Sequence, residues 1–321
     1  MSDYRTGDMI RLTRQAAGMS QEALCENICS VQTLSRIENG KVSVKKEVYR
    51  MLMERMGRGG EKMRSILETA DFDALELWQE LNQEIIRFDF DAAKEQLDRF
   101  KCLPDSEKSL LNRQMTGRRE CLIAYYKKEM GREVYVKRLE ELLALTVSGY
   151  EKLLDRVYPF RSEEVQLLMN LSNAYGAAGE FERPVRINYM LIRSLNAGYM
   201  GREDSENLIA MLTYNTAKRY GQRGQFKTAQ HMCQNAIRRA KRQKFLNVLP
   251  QAYGELALSI MQQIRRGERG EEDCALCRAF ARQGYAAAQM MHSYSAMRTF
   301  EKYFREWFGE EIEAPYQNWK K

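Results

Sequence analysis

The sequence predicts an all-α protein of two domains. Among its 321 residues only 5 are prolines, and residues that favour helices are abundant. Runs of β-branched residues are nearly absent, and apolar residues recur at helical spacing instead. A chain of this length has room for two domains with sizeable cores. We therefore expect helices packed on helices from end to end.

The composition argues against several classes of protein. No run of 18 apolar residues is present, so we expect no membrane span, and the first residues lack the apolar stretch of a signal peptide. The 7 cysteines are scattered, which is typical of a reduced compartment, and a cytoplasmic location is expected. Cys274 and Cys277 have metal-like spacing without a second pair, so they are interpreted as positions within a helix.

Signatures of catalysis are missing as well. Histidine occurs only at positions 231 and 292, and the His-Glu-x-x-His pattern of metalloproteases is absent. The glycine-rich stretch 57–60 has no following Lys-Ser or Lys-Thr, so it does not match a phosphate-binding loop. We expect no enzyme activity, no metal and no cofactor.

The positive charge is concentrated at the N-terminal end. The net charge is +7, and residues 1–66 contribute +4 of it in a fifth of the chain. Such a density of Lys and Arg suits contact with phosphates. The stretch Gly57-Arg58-Gly59-Gly60 is interpreted as a hinge, which predicts domains at 1–60 and 61–321.

Five short helices are predicted in the N-terminal domain. They cover residues 6–17, 20–28 and 30–38, with two more across 45–57. Ser20 and Ser30 are good N-caps, since a serine hydroxyl accepts from free amides in the first turn. The predicted core consists of Ile10, Leu24, Ile28, Leu34, Ile37 and Val48.

A specific motif lies within these helices. It consists of Gly18-x-Ser20-Gln21-x-x-Leu24 and, further on, Leu34-Ser35-x-Ile37-Glu38-Asn39-Gly40. This pattern resembles the Cro/repressor-type (XRE) helix-turn-helix family over about 50 residues. The resemblance implies that the third helix enters the major groove of DNA. It also implies that Arg14 pairs with Glu38, which would lock the first helix onto the third.

The resemblance gives the DNA-facing residues separate roles. Gln21 and Asn39 would hold phosphates, whereas Val31, Gln32 and Arg36 would point at bases. Gln32 and Arg36 are four residues apart and share one helix face; glutamine can pair with adenine and arginine with guanine. The complete set of residues expected at DNA is Gln21, Ser30, Val31, Gln32, Ser35, Arg36, Asn39, Lys41, Lys45 and Lys46.

The rest of the chain contains a repeat. Residues 170–181 align with residues 215–226, and in the later copy a Tyr is followed by Gly four later and Phe two after that, a spacing that the earlier copy shares. This is the tetratricopeptide pattern, in which the glycine ends one helix and a small residue, here Ala229, lets the next helix approach. Pro184 replaces that small residue in the first copy, where it would lie in a first helical turn.

We expect about five such helical hairpins, stacked as a right-handed superhelix with a concave face. The final helix would act as a cap. Its aromatic residues are interpreted as core or dimer surface rather than as a ligand-binding site. They are Phe300, Tyr303, Phe304, Trp307 and Phe308.

A repressor-type head followed by about five irregular hairpins resembles the RRNPP family of peptide-responsive, quorum-sensing regulators. The resemblance implies a homodimer that binds a pseudo-palindromic operator, and a short signalling peptide bound on the concave face. Asn170 and Asn215 occupy equal repeat positions, and an amide side chain can both donate to and accept from a peptide backbone. The expected peptide-binding residues are Asn170, Asn173, Asn215, Lys218, Arg219 and Glu255.

Two other interpretations remain open from sequence. The hairpins could be a scaffold that binds a protein, with DNA binding incidental or lost. Alternatively, the chain could be a repressor that responds to a protein partner rather than to a peptide. A hidden hydrolase is disfavoured because no nucleophile clusters with a base.

Overall fold

A computed structural model describes residues 6–42, 44–57, 72–103, 106–107, 109–198, 200 and 202–312. These ranges contain fifteen α-helices and no strand, so the predicted all-α class is confirmed. In the same ranges no helix is long and apolar enough to cross a bilayer. The described residues form two compact units, one within 1–78 and 94–205 and the other within 79–93 and 206–321. The predicted domain boundary after residue 60 lies outside the described residues.

The N-terminal helices are α1 (Thr6–Ala16), α2 (Gln21–Cys25), α3 (Val31–Glu38) and α4 (Lys46–Arg55). Helix α2 ends three residues earlier than predicted because Glu26 leaves helical geometry and Asn27 has a left-handed φ of 56°. The prediction of two helices across 45–57 is wrong, since α4 runs through that stretch without a glycine or proline to interrupt it.

The core of these four helices contains the predicted residues. Ile10, Leu24, Leu34 and Ile37 are buried, and Ile28 and Val48 pack against them half-buried. Helix α4 and its C-cap add three buried residues that were not predicted, namely Leu52, Met53 and Met56.

Eleven helices follow. They are α5 (Phe72–Arg87), α6 (Phe90–Lys101), α7 (Leu110–Tyr126), α8 (Arg132–Ala144), α9 (Ser162–Ala177), α10 (Glu182–Asn196), α11 (Arg202–Gln222), α12 (Phe226–Arg242), α13 (Leu249–Arg265), α14 (Cys274–Met290) and α15 (Tyr294–Phe308). Helices α5 to α14 are five consecutive pairs, and α15 follows as a single helix. The predicted number of hairpins and the aromatic final helix are therefore confirmed.

The repeat residues act as the pattern predicts. Gly179 and Gly224 follow α9 and α11 with φ of 88° and 75°, a conformation that side chains other than glycine rarely adopt. Ala229 is fully buried where α12 approaches α11. Pro184 lies in the first turn of α10, and its carbonyl accepts a hydrogen bond from the Ser172 hydroxyl at 3.2 Å.

Buried ion pairs hold α9 against α7. Glu163 pairs with Arg118 and Arg119 of α7, and the Arg119 guanidinium lies 4.1 Å from the centre of the Trp78 ring. Burial lowers the pKa of Arg119 to about 10, against the attraction of Glu163. This cluster fixes the N-terminal end of α9 within the first compact unit.

The final helix packs through its aromatic side chains. Phe300 fits against Gly254 of α13 and Gly284 of α14, where an added Cβ would lie 3.3 Å and 2.2 Å from the ring. Phe300 and Phe304 are buried, so the aromatic stripe belongs mainly to the core. Cys274 and Cys277 lie in α14, and the buried Cys277 thiol donates to the Ala257 carbonyl at 3.2 Å.

Candidate functional site

Helix α3 begins at a serine cap on the protein surface. The Ser30 hydroxyl accepts from the Thr33 amide at 3.1 Å and lies 2.8 Å from the Thr33 hydroxyl. Ser20 caps α2 in the same way, by accepting from the Ala23 amide at 3.1 Å. Both caps satisfy amides that a helix otherwise leaves free, so the orientation of the two helices is set at their N-terminal ends.

A buried ion pair joins α1 to α3. Arg14 donates from Nε and Nη2 to the two carboxylate oxygens of Glu38 at 2.7 and 2.9 Å, and from Nη1 to the Met19 carbonyl at 2.9 Å. Gln21 of α2 also donates to Glu38, at 2.7 Å. The hydrogen bond to Glu38 raises the pKa of Arg14. Three helices thus meet at one carboxylate, which holds α3 in place.

The side chains predicted to face bases lie on the open side of α3. Val31, Gln32 and Arg36 are exposed, whereas Leu34 and Ile37 on the opposite face are buried. Neither the side chain of Gln32 nor that of Arg36 makes a hydrogen bond or ion pair with any residue in the described ranges. This face can therefore meet a partner without breaking an internal bond.

The side chains predicted to hold phosphates already make hydrogen bonds within the protein. Gln21 gives one amide hydrogen to Glu38, and Asn39 gives one to the Ser35 carbonyl at 2.8 Å. The second amide hydrogen of Gln21 meets no acceptor among the described residues, whereas the Asn39 nitrogen also makes a long contact of 3.5 Å with the Ser35 hydroxyl, which a phosphate would have to replace. Ser35 is half-buried, Lys41 and Lys45 are exposed, and the side chain of Lys46 lies outside what the structure describes.

The residues predicted to bind a peptide fall in both compact units. Asn170 and Asn173 belong to α9 in the first unit, whereas Asn215, Lys218, Arg219 and Glu255 lie in the second. The amide nitrogens of Asn170 and Asn215 are both buried, and neither has a hydrogen-bond partner among the described residues. Each of the two equivalent repeat positions therefore carries an amide donor that no described residue uses.

The two cations after Asn215 differ in accessibility. Arg219 is 4% exposed, and its guanidinium donates to Gln222 at 2.8 Å. Lys218 remains exposed, although the loss of solvent around its ammonium lowers its pKa. Lys218 is therefore the cation of this pair that a ligand can reach.

Glu255 lies beside a cavity of about 300 Å³ in the second unit. Burial raises the pKa of this carboxyl to about 7, although Lys218 and Arg219 oppose the shift. Helix α11 approaches closely here, since a Cβ on Gly221 would lie 2.1 Å from the carboxylate oxygen. The polar and aromatic lining includes Tyr214, Lys218, Gln251, Glu255, Phe300 and Tyr303.

Four of these lining residues, Tyr214, Gln251, Phe300 and Tyr303, were not among the residues predicted to bind a ligand. They come from α11, α13 and α15 and are far apart in the chain. Gln251 precedes Glu255 by one helical turn, and this spacing is the one signal that could have placed it on the same face.

Comparison with known proteins assigns the N-terminal part. Residues 6–66 match the family described as "Helix-turn-helix domain". This segment is a helix-turn-helix domain. Within it, α3 lies C-terminal to the turn at Asn27. No curated protein sequence matches the chain.

Solved structures extend the comparison to the whole chain. PlcR from Bacillus thuringiensis, in complex with the peptide PapR7 and DNA, is 16% identical, and the match covers 92% of this chain and 98% of PlcR with a TM-score of 0.58. The apo form of ComR from S. thermophilus is 13% identical, with 93% and 97% coverage and a TM-score of 0.50. The chain thus has the fold of PlcR, and the resemblance to RRNPP regulators is confirmed at the level of the fold.

Proposed function

We propose that this protein is a cytoplasmic, DNA-binding transcription regulator rather than an enzyme. It acts as a homodimer whose DNA-binding state is controlled by a short signalling peptide. The observation that carries the proposal is the exposed face of α3, where Gln32 and Arg36 make no bond to the described residues, on a helix held by Glu38. A rigid helix with available polar side chains is what readout in the major groove requires.

The roles of the DNA-facing residues follow from their chemistry. Arg36 donates to guanine, Gln32 pairs with adenine, and Val31 contacts a thymine methyl. Lys41 and Lys45 neutralise the DNA backbone, and Gln21 and Asn39 position it through their second amide hydrogens. A two-fold dimer presents two copies of α3, so the operator is a pseudo-palindrome.

The peptide part of the proposal is supported by the unused amides and by the comparison. PlcR shares the fold over nearly the whole chain and was solved with a peptide as well as DNA. An extended peptide offers carbonyl oxygens, which are acceptors for the buried donors of Asn170 and Asn215. A backbone contact of this kind gives affinity for a peptide without selecting its side chains.

The proposal is tested by two selections with the full chain. In the first, binding to a pool of random DNA duplexes should enrich an inverted repeat, with half-sites about 10 base pairs or a multiple of that apart. In the second, binding to a pool of random synthetic heptapeptides should enrich a family of related sequences. Failure to enrich DNA refutes the DNA-binding function. If the first selection enriches DNA but the second enriches no peptide, control by a peptide is refuted and a protein partner is favoured as the signal.

A further inference from the structure

The wall of the cavity formed by α13 is rich in hydrogen-bond acceptors. Gln251 and Glu255 lie one turn apart and both line the cavity. The carbonyl oxygen of the Gln251 side chain is buried without a partner among the described residues. The Glu255 carboxylate forms no ion pair with a described cation, since no such nitrogen lies within 4.0 Å of its oxygens. This wall therefore offers two acceptors and lacks cationic donors to match them.

The charges around the cavity do not supply that donor. Lys218 is the cation among the lining residues, and it forms no ion pair with Glu255 within 4.0 Å. Burial raises the pKa of Glu255, whereas Lys218 and Arg219 act in the opposite direction from beyond ion-pair distance. A cation that entered the cavity would approach Glu255 more closely than either Lys218 or Arg219 does.

The remaining walls suit the body of a cationic side chain. Phe300 and the rings of Tyr214 and Tyr303 line the cavity together with apolar residues. Aromatic faces attract ammonium and guanidinium groups, and they also pack against the methylene stems of long side chains. A volume of about 300 Å³ is at the small end of ligand pockets, enough for one or two amino-acid residues.

We propose that this cavity binds a cationic group of the signalling peptide, with Glu255 as its counter-charge and Gln251 as a second acceptor. The group is a lysine or arginine side chain, or the free α-ammonium of the peptide. Glu255 is then the residue that selects among peptides, whereas the asparagines hold any peptide backbone. This inference rests on the proposed function, because it assumes that the second unit binds a peptide.

The test uses the full chain and two pools of random heptapeptides, one with free and one with acetylated amino termini. Three proteins are compared: wild type, Glu255→Gln and the control Glu268→Gln. The control removes the same charge at an exposed position outside the cavity lining. Bound peptides are sequenced, and the best of them are resynthesised for affinity measurements.

Wild type and Glu268→Gln should enrich peptides with Lys or Arg at a fixed position, or should require a free amino terminus. Which pool is enriched identifies the source of the cation. Glu255→Gln should bind the same peptides roughly tenfold more weakly or worse, since the buried charge partner is gone. Because glutamine has nearly the same shape as glutamate, the fold is expected to tolerate the change.

Three results would overturn the inference. Enriched peptides without any cationic requirement would refute it and leave the proposed function intact. Equal losses in Glu255→Gln and Glu268→Gln would show an effect of net charge rather than of the cavity. If no protein enriches any peptide, peptide control itself fails, and the inference fails with it.

Discussion

Arg36 and Lys45 are both exposed cations of the helix-turn-helix domain, but they occupy different positions. Arg36 lies on the open face of α3, one turn after Gln32. Lys45 immediately precedes α4, at its N-cap, outside the recognition helix. A side chain on α3 can reach base edges, whereas one at the start of α4 can contact only the phosphate backbone in the proposed binding mode.

The two residues should therefore respond differently to truncation. Arg36→Ala should weaken binding to the selected operator by about 1–3 kcal/mol and affect random DNA much less. Lys45→Ala should weaken binding to both DNAs alike and reduce the dependence of log affinity on log salt by about one. Anisotropy titrations at several salt concentrations measure both quantities. Equal losses on operator and random DNA for Arg36→Ala would show that it reads no base.

Single-residue contacts were only partly predictable. The ion pair between Arg14 and Glu38 was expected from the resemblance to repressors, and the two side chains do lie in contact. The bond from Gln21 to the same carboxylate was not expected, because its geometry depends on how α2 is oriented against α3. Recurrence in the sequence singled out Asn170 and Asn215, but only coordinates show that their amide nitrogens are buried and unused by the described residues.

Two helices of the DNA-binding domain approach each other at a glycine. An added Cβ on Gly7 of α1 would lie 1.8 Å from the Ile37 carbonyl oxygen of α3. The obstacle is backbone, so it cannot rotate away as a side chain could. The position has no room for a side chain, on the same pair of helices that Arg14 and Glu38 join.

Gly7→Ala should destabilise α1 and α3. Alanine favours a helix over glycine by about 1 kcal/mol, but the clash with backbone should outweigh this and give a net loss of about 1–3 kcal/mol. Hydrogen exchange of the α1 and α3 amides in the full chain measures the local opening free energy. The matched control is Gly131→Ala, since a Cβ there meets nothing within 4 Å. Unchanged protection in Gly7→Ala would contradict the packing described.

Helix α13 places a titrating group in the second unit. The carboxyl of Glu255 faces Tyr214, Lys218 and Arg219 from α11, Cys233 from α12 and Tyr303 from α15. Burial raises the pKa values of the tyrosines and of Cys233 further above neutral, so Glu255 is the group of this set that changes charge near pH 7.

Stability should therefore fall as this carboxyl ionises. Its pKa rises from an ordinary glutamate value of 4.5 to about 7 on folding, so the folded state binds the proton more tightly, and stability decreases between about pH 4.5 and 7. Glu255→Gln removes this dependence, and its unfolding free energy relative to wild type should be larger at pH 8 than at pH 5. Chemical denaturation at both pH values measures the difference, with Glu268→Gln as control. A difference that is the same at both pH values would contradict the burial of Glu255.

At the scale of helices the sequence was a good guide where patterns are local. The hairpins from α9 to α12 follow from a glycine that ends one helix and a small residue that lets the next approach. The two helices predicted across 45–57 are one, because no glycine or proline interrupts α4. The cavity could not be predicted, since its walls combine α11, α13 and α15 and depend on how these helices pack.

At the scale of the molecule, a contact joins the helix-turn-helix domain to the repeat helices within the first compact unit. Arg161, the N-cap of α9, donates to the Gly57 carbonyl beyond the end of α4 at 2.5 Å. The same helix carries Asn170 on its later turns. A helix is stiff over this length, so a ligand that shifts α9 at Asn170 also shifts Arg161 against the domain.

Arg161→Ala should weaken the coupling between peptide and DNA. The change in operator affinity caused by a selected peptide should shrink by about 0.5–2 kcal/mol, while affinity for the peptide alone stays within about twofold. Arg156→Ala, at an exposed position in the preceding loop, is the control. Titrations of operator with and without peptide give the coupling. If the peptide changes operator affinity in Arg161→Ala as much as in wild type, this contact does not transmit the effect of the peptide to the DNA.

Occupancy of the repeat helices by a peptide is expected to change how the protein holds DNA. The most direct measurement is the affinity of the full chain for its selected operator, with and without a selected heptapeptide, at one fixed salt concentration. Wild type should show a clear change in affinity on adding the peptide, and the double variant Asn170→Ala/Asn215→Ala should show none. A peptide that binds wild type without altering operator affinity, or a double variant that responds like wild type, would contradict the account.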